Sequence, residues 1–254
     1  MKDTAITLTT ILRPKAIKEC IESISKFYPD IHIYVADQNK EIDTELYERN
    51  FVNYYKVPFD CGLPYARNFL LDKVKQKYIV IVEDDFIFQD DSLKIGKSLL
   101  KRGVADIVGG KITRPNGKVQ EWEGIFIYEP EYNLFIRIPI EYVGKKWEET
   151  PETKFYYCDY VPNFWIATKA LLYSWNEDTK ISGGEHADYF LKCKLHEQRI
   201  CHCPDMKILH NHKLPSSEYA KLRKRNRHLK YFKINWKVNK FYIVNHNGQL
   251  KERN

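Results

Sequence analysis

The sequence predicts an α/β protein: a mixed, mainly parallel sheet with helices on both faces. Three observations point there. Up to residue 85, β-type stretches alternate with stretches of helical period, the pattern of βαβ units. The run Tyr78-Ile79-Val80-Ile81-Val82 is apolar without alternation, as in a strand covered on both sides. Polar and acidic residues follow the strands directly, at the carboxyl ends where open α/β sheets bind ligands.

Each element has its own signal. Ala5 to Thr10 is β-rich, and Arg13-Pro14 breaks it. Pro14 suits a first helical turn, and apolar residues at 17, 20, 21, 24 and 27 carry the helix to Phe27. Ile31 to Ala36 is a second strand closed by Asp37. A short helix around 43–49 and a strand at Tyr54 to Val57 follow. Gly62-Leu63-Pro64 opens a helix over Tyr65 to Val74, ahead of the buried strand. Beyond Asp106, Pro115-Asn116-Gly117 signals a hairpin. Lys145 to Thr153 reads as loop, Tyr156 to Ala167 as β-like, and Thr168 to Tyr173 as a helix start. Residues 181–184 read as loop, and Glu185 to His196 as helix. Arg199–Cys203 and Met206–Leu209 read as two short strands around Pro204. Ser216 to Lys230 reads as a basic helix.

Composition bounds the function. The chain has 254 residues, 43% hydrophobic, enough for a real core in one domain with a modest appendage. The boundaries read as a domain over 1–213, in two halves (1–105 and 106–213), then a basic tail over 214–254. No apolar run of about 18 residues is present, and the first ten residues do not read as a secretory signal. Six cysteines at 20, 61, 158, 193, 201 and 203 form no C-x-x-C pair. In a strand only Cys201 and Cys203 of Cys201-His202-Cys203 share a face, so a zinc site lacks ligands. A reducing, cytoplasmic location is the expectation.

The net charge is +7, unevenly placed. From Lys207 onward 13 Lys and Arg stand against 2 acids, which leaves the body slightly acidic. A basic tail interleaved with Tyr231, Phe232, Trp236, Phe241 and Tyr242 suits a membrane surface or single-stranded nucleic acid. It equally suits a segment packed over the sheet.

Glu83-Asp84-Asp85 follows the buried strand. Three carboxylates at one strand end repel unless a cation joins them, and hard ions such as Mg²⁺ or Mn²⁺ take oxygen ligands and bridge to phosphates. Asp85 is then a metal ligand, and Glu83 faces the same way, toward a sugar hydroxyl or a metal-bound water. Arg13 and Arg67 carry guanidinium forks that fit a pyrophosphate, or else form salt bridges.

These segments together resemble the GT-A fold (Rossmann-like) glycosyltransferases, especially the inverting family 2-like enzymes of galactosyl- and N-acetylgalactosaminyl type. Glu83-Asp84-Asp85 stands where they carry D-x-D, with Glu for the first Asp. Gly62, Ala66, Arg67 and Asn68 match the Gly-x-x-x-Ala-Arg-Asn helix before it. Thr9, Thr10 and Arg13 match the polar end of the first strand, and Asp37 the acid that touches the nucleotide. Gly183-Gly184-Glu185-His186-Ala187-Asp188-Tyr189-Phe190 resembles G-G-E-D-x-D-x-F. The segment Pro204 to His210 resembles P-x-x-x-[VI]-x-H.

The resemblance implies a donor site formed by Thr9, Thr10, Arg13, Asp37, Arg67, Glu83 and Asp84. It implies Mn²⁺ or Mg²⁺ on Asp85 and His210, with His212 as the alternative histidine. It also implies a base that deprotonates the acceptor hydroxyl. His186 replaces the usual Asp, so Glu185, His186 and Asp188 all stand as candidates, Glu185 first and Asp188 next; 185 and 188 share a helix face and so border one pocket. The donor is expected to be a UDP-sugar, UDP-Gal or UDP-GalNAc/GlcNAc, and the acceptor a glycan or lipid-linked glycan. Trp122, Trp147 and Trp165 are candidates for stacking on it, Trp165 foremost.

Three other readings compete. A sugar nucleotidyltransferase would want a glycine-rich phosphate loop, and Thr9 to Pro14 has no glycine. A nucleic-acid-binding protein leaves the acidic clusters unexplained. A non-catalytic carbohydrate-binding relative would account for His186.

Overall fold

The computed structural model describes residues 1–49, 51–178, 184–211, 217–223, 228–245 and 247–253. His212 and Gly183 lie outside the described residues, as does the Lys224 to Arg227 part of the basic tail.

β1 (Thr4–Thr10), β2 (His32–Asp37) and β3 (Val52–Lys56) run parallel, and β4 (Tyr78–Ile81) joins β1 on its other side, also parallel. The connections are α1 (Pro14–Phe27), α2 (Thr44–Tyr47) and α3 (Leu63–Lys73). Pro14 sits in the first turn of α1, and the Asp43 carboxylate caps α2 by accepting from Leu46 N–H at 3.2 Å. Gly62 precedes α3 at φ 95°, a conformation glycine adopts without strain. The strand order therefore reverses between β1 and β4, with β2 and β3 added on one side of β1 and β4 on the other, and in open α/β sheets such a switch point forms a ligand crevice at the carboxyl ends.

The two-residue β5 (Phe86–Ile87) leads to α4 (Leu93–Lys101) and β6 (Ile107–Thr113). α4 has no counterpart in the sequence reading. It buries Leu93, Leu99 and Leu100, and its Gly96 approaches Met206 so closely that an added Cβ would lie 2.5 Å from the sulfur. The expected hairpin forms: β7 (Val119–Gln120) pairs antiparallel with β6. β8 (Gly124–Glu129) and β9 (Leu134–Pro139) form a second hairpin.

β10 (Trp147–Glu149) corrects the loop expected over 145–153, since it pairs antiparallel with β11 (Lys154–Tyr157). The stretch expected to be β-like up to Ala167 is interrupted over 158–164, a segment that contains Pro162, and β12 (Trp165–Thr168) follows the interruption. The helix expected from Thr168 is a single 3₁₀ turn over Lys169–Leu171. α5 (Glu185–Leu195) forms as expected. β13 (Ile200–His210) is one strand and not two: its pairing with β6 slips between Cys203 and Lys207, so the chain passes Pro204 through a bulge. α6 (Ser217–Arg223) and α7 (His228–Asn235) supply the basic helical segment, and β14 (Lys240–Val244) and β15 (Leu250–Glu252) end the chain.

The main sheet has the order β10-β11-β13-β6-β12-β4-β1-β2-β3, with β5 on β13 and β7 on β6. It is parallel over β3-β2-β1-β4 and between β6 and β13, and antiparallel elsewhere. Helices cover both faces. Val80 and Val82 pack with Ile17, Ile21 and Leu99 of α1 and α4. Ile79 and Ile81 pack with Leu70 of α3 and Phe190 of α5. Strand β4 is thus buried on both sides, as its unalternated sequence predicts.

The end of the chain is not only helical. β14 pairs parallel with β9, and a four-stranded sheet β15-β14-β9-β8 results. Phe232 and Phe241 are buried against Phe135, so these tail aromatics pack inward.

Candidate active site

The crevice at the ends of β1 and β4 gathers the acidic triplet. Asp84 points back at β1: Thr10 donates its hydroxyl to Asp84 Oδ2 at 2.7 Å, and Arg13 Nη1 donates to Oδ1 at 2.7 Å. The other Arg13 nitrogen binds Asp85. Arg13 stacks in turn on the ring of Tyr219 from α6, 5.2 Å from its centroid. A guanidinium offered to two carboxylates is not a free fork, so Arg13 serves first as their counter-charge.

The two aspartates respond in opposite directions. Burial pushes the Asp84 carboxyl up to about 7, against the pull of Arg13 and Thr10. Burial acts on Asp85 too, but there the His210 hydrogen bond and the Arg13 charge outweigh it and hold the carboxyl near about 2.

His210 arrives from β13. Its pairing opposite Phe86 in β5 sets its ring beside the triplet. Nε2 lies 3.0 Å from Asp85 Oδ2, and Nδ1 lies 3.1 Å from Gln120 Oε1. Glu83 is oriented by Asn163, whose Nδ2 donates to Oε1 at 2.9 Å. One donor atom from each of Glu83, Asp85 and His210 falls within 4.8 Å of the others. Two carboxylates and an imidazole are a chemically suitable donor set for Mn²⁺ or Mg²⁺. Glu83 thus stands in the cluster itself.

Asp37 ends β2. It is buried, and its Oδ1 accepts from the backbone and side-chain nitrogens of Asn39, both at 2.7 Å. Its Oδ2 accepts from the Tyr54 hydroxyl. Asn39 Oδ1 in turn accepts from Leu12 N–H at 2.6 Å, so Asp37 braces the loop that carries Arg13. Thr9 is half-buried at the end of β1, paired with Ala36.

Arg67 of α3 is buried, with its guanidinium 4.3 Å above the ring of Trp175. Nη1 has no hydrogen-bond partner among the described residues. Burial lowers its pKa, opposed most by the charges of Glu185 and then Glu83. Arg67 therefore lies between the acidic cluster and the start of α5.

The three base candidates separate. Glu185, half-buried, stands at the first turn of α5 beside Arg67. His186 donates Nε2–H to Val161 O at 2.7 Å, and burial, with the nearby Arg137 charge, lowers its pKa to about 3. An imidazole so reluctant to protonate is a poor proton acceptor near neutral pH. Asp188 is buried, accepts from Trp236 Nε1 at 2.8 Å, and has its pKa raised by burial. It lines a cleft of about 480 Å³ with Ser174, Asn176, Lys192 and Trp236. The shared helix face thus leads Glu185 and Asp188 to different neighbours.

The tryptophans also separate. Trp165 is fully buried and stacked on Tyr189, which corrects its expected role as an acceptor platform. Trp147 lines another cleft with Glu149, Glu152 and Asp205. Trp122 is 48% exposed and lies 6.4 Å from the His186 ring, so it is the tryptophan at the rim of the site. Gln120 and Asn163 had no signal as site residues, because an uncharged amide acquires its role only from what the fold places beside it.

An acidic, histidine-bearing crevice at the switch point of such a sheet defines a GT-A glycosyltransferase architecture. The pattern of Glycosyl transferase family 2 matches residues 6–160, and the chain belongs to that family. Beta-1,4 N-acetylgalactosaminyltransferase 2 of Mus musculus is 38% identical over 108 residues, 42% of this chain and 21% of the relative. Beta-1,4 N-acetylgalactosaminyltransferase 1 of Homo sapiens is 27% identical over 210 residues, 82% of this chain and 39% of the relative. The chain thus spans well under half of these curated relatives. Among solved structures, GalNAc-T7 with UDP, GalNAc and Mn²⁺ superposes with a TM-score of 0.61 at 13% identity, over 90% of this chain and 49% of that one. That likeness is one of fold.

Proposed function

We propose that the chain is a metal-dependent, inverting glycosyltransferase. It transfers N-acetylgalactosamine, or a related hexose or N-acetylhexosamine, from a UDP-sugar to a hydroxyl of a glycan or lipid-linked glycan. The observation that carries this reading is the convergence of Glu83, Asp85 and His210 within 4.8 Å at the sheet's ligand-binding end. The family match, the N-acetylgalactosaminyltransferase relatives and the UDP and Mn²⁺ of a structural neighbour support it.

In this reading Asp85, His210 and Glu83 hold Mn²⁺ or Mg²⁺, which when bound supplies positive charge to the departing diphosphate. Arg13 balances Asp84 and Asp85, and Thr10 fixes Asp84. Asn163 and Gln120 orient Glu83 and His210. Glu185 accepts the proton of the acceptor hydroxyl as its oxygen attacks the anomeric carbon and the bond to the β-phosphate oxygen breaks. Attack opposite the leaving group inverts the anomeric centre. Arg67 stands close to Glu185 and sets a positive charge beside the acceptor-side carboxylate. Trp122 offers an aromatic face to the acceptor ring.

The basic segment is proposed as a contact to an anionic membrane surface through its exposed lysines, among them Lys230 and Lys237. No helix among the described residues is long and apolar enough to cross a membrane.

The test is release of UDP from UDP-GalNAc, UDP-GlcNAc and UDP-Gal in the presence of a panel of glycan and lipid-linked glycan acceptors and Mn²⁺. Acceptor-stimulated release from one donor, abolished in Glu185→Gln, is the expected result. No acceptor-dependent release from any donor would contradict the proposal.

A further inference from the structure

Gln120 closes the β6–β7 hairpin. Its partner across the ladder is Ile112, and Ile112 pairs on its other side with Ile208, two residues before His210. The neighbouring strands β7, β6 and β13 thus fix the spacing between the amide and the imidazole. Gln120 Oε1 lies 3.1 Å from His210 Nδ1, on the opposite side of the ring from Asp85. The Phe86 ring meets the imidazole edge-on at 5.1 Å and limits its rotation.

We propose that Gln120 is a positioning residue for the metal site: it accepts Nδ1–H of His210, and so fixes the ring angle and reserves Nε2, which faces Asp85 here as a hydrogen-bond donor, as the nitrogen whose lone pair would serve an ion. The proposal rests on the metal reading of Glu83, Asp85 and His210. An imidazole has one lone pair when neutral, and the acceptor placed against one nitrogen decides which nitrogen carries it. An amide oxygen does this without adding a negative charge to a site that already holds Glu83, Asp84 and Asp85. Loss of such an outer partner commonly weakens metal binding by about 10- to 100-fold.

The test uses the full chain and needs no turnover. Mn²⁺ is titrated calorimetrically at saturating UDP into the wild type, Gln120→Ala and Gln120→Glu. The His210 ring nitrogens are assigned by long-range ¹H–¹⁵N NMR with diamagnetic Mg²⁺. The expected result is protonated Nδ1 in the wild type and Mn²⁺ affinity lower by about tenfold in Gln120→Ala. Recovery is expected in Gln120→Glu, which keeps an acceptor at that place. A purely structural role of Gln120 would move unfolding temperature but not the tautomer. Wild-type His210 protonated at Nε2, or Gln120→Ala binding Mn²⁺ within twofold of the wild type, would overturn the proposal. Absence of Mn²⁺ binding by the wild type would overturn the metal reading itself, and this inference with it. If Gln120→Ala fails to fold, the wild-type tautomer and the Gln120→Glu affinity still decide the question.

Discussion

Asp85 and His210 meet at 3.0 Å although they lie 125 positions apart in the chain. The two-residue strand β5 achieves this. Phe86, next to Asp85, pairs antiparallel with His210 itself, so the backbone ladder fixes the approach of the two side chains. Asn211 N–H also donates to Asp85 O at 3.0 Å. The carboxylate and the imidazole are therefore held by main-chain geometry rather than by a flexible loop.

That relationship predicts a shared phenotype. Asp85→Ala and His210→Ala are each expected to abolish the Mn²⁺ dependence of UDP affinity. Asp85→Ala is also expected to lower the unfolding temperature, because it leaves the half-buried Arg13 with one carboxylate in place of two. Calorimetry with and without Mn²⁺, beside thermal unfolding, checks both effects.

The separation of the base candidates predicts a divided mutant series. Glu185→Gln is expected to bind UDP-sugar normally and to lose at least about 100-fold in transfer rate. His186→Gln keeps a donor toward Val161 O, and is expected to retain transfer within about tenfold. Single-turnover kinetics at saturating donor distinguish the two.

Trp122 and Trp165 are expected to fail in different ways. Trp165 is fully buried, and Trp165→Ala is expected to cost about 3–5 kcal/mol of stability. Trp122→Ala is expected to leave unfolding unchanged and to raise the acceptor KM. Denaturant titration of both variants, with acceptor saturation curves for Trp122→Ala, makes the comparison.

Asp84 predicts a pH effect on stability. Its folded pKa, about 7, lies above the usual carboxylate value, so between about pH 4 and 7 the folded state holds a proton that the unfolded chain has released. Its contribution is full at the acid end and is lost as pH rises through 7. Relative to Asp84→Asn, the wild type is expected to lose stability with rising pH across this window, by at most about 1.4 kcal/mol per unit. Paired unfolding curves at several pH values measure the difference.

The parallel half of the fold was legible because each strand there ends in a turn or helix signal, and because β4 is apolar throughout. Much of the acidic site was legible for the same reason: Glu83, Asp84 and Asp85 follow a strand whose burial is written in its composition. Helix α4 was missed. Its face is made of Leu93, Leu99 and Leu100 around a glycine whose place is explained only by the close packing of Met206 and Ile166 against it. β10 was missed because Trp147-Glu148-Glu149 is an exposed edge strand, stabilised by pairing with β11 rather than by burial. Trp165 was misplaced because an aromatic near a catalytic motif reads the same whether it lines a pocket or fills a core. Gln120 and Asn163 reach His210 and Glu83 through contacts that only the assembled sheet creates, so no local pattern marks them.

Glu83, Asp85 and His210 are proposed to form a divalent-metal site for a nucleoside diphosphate. Calorimetric titration of UDP into the wild type and Asp85→Ala, each with and without Mn²⁺, tests it most directly. The expected result is UDP binding that Mn²⁺ strengthens in the wild type and does not strengthen in Asp85→Ala. Equal UDP affinity with and without Mn²⁺ in folded wild-type protein would contradict it.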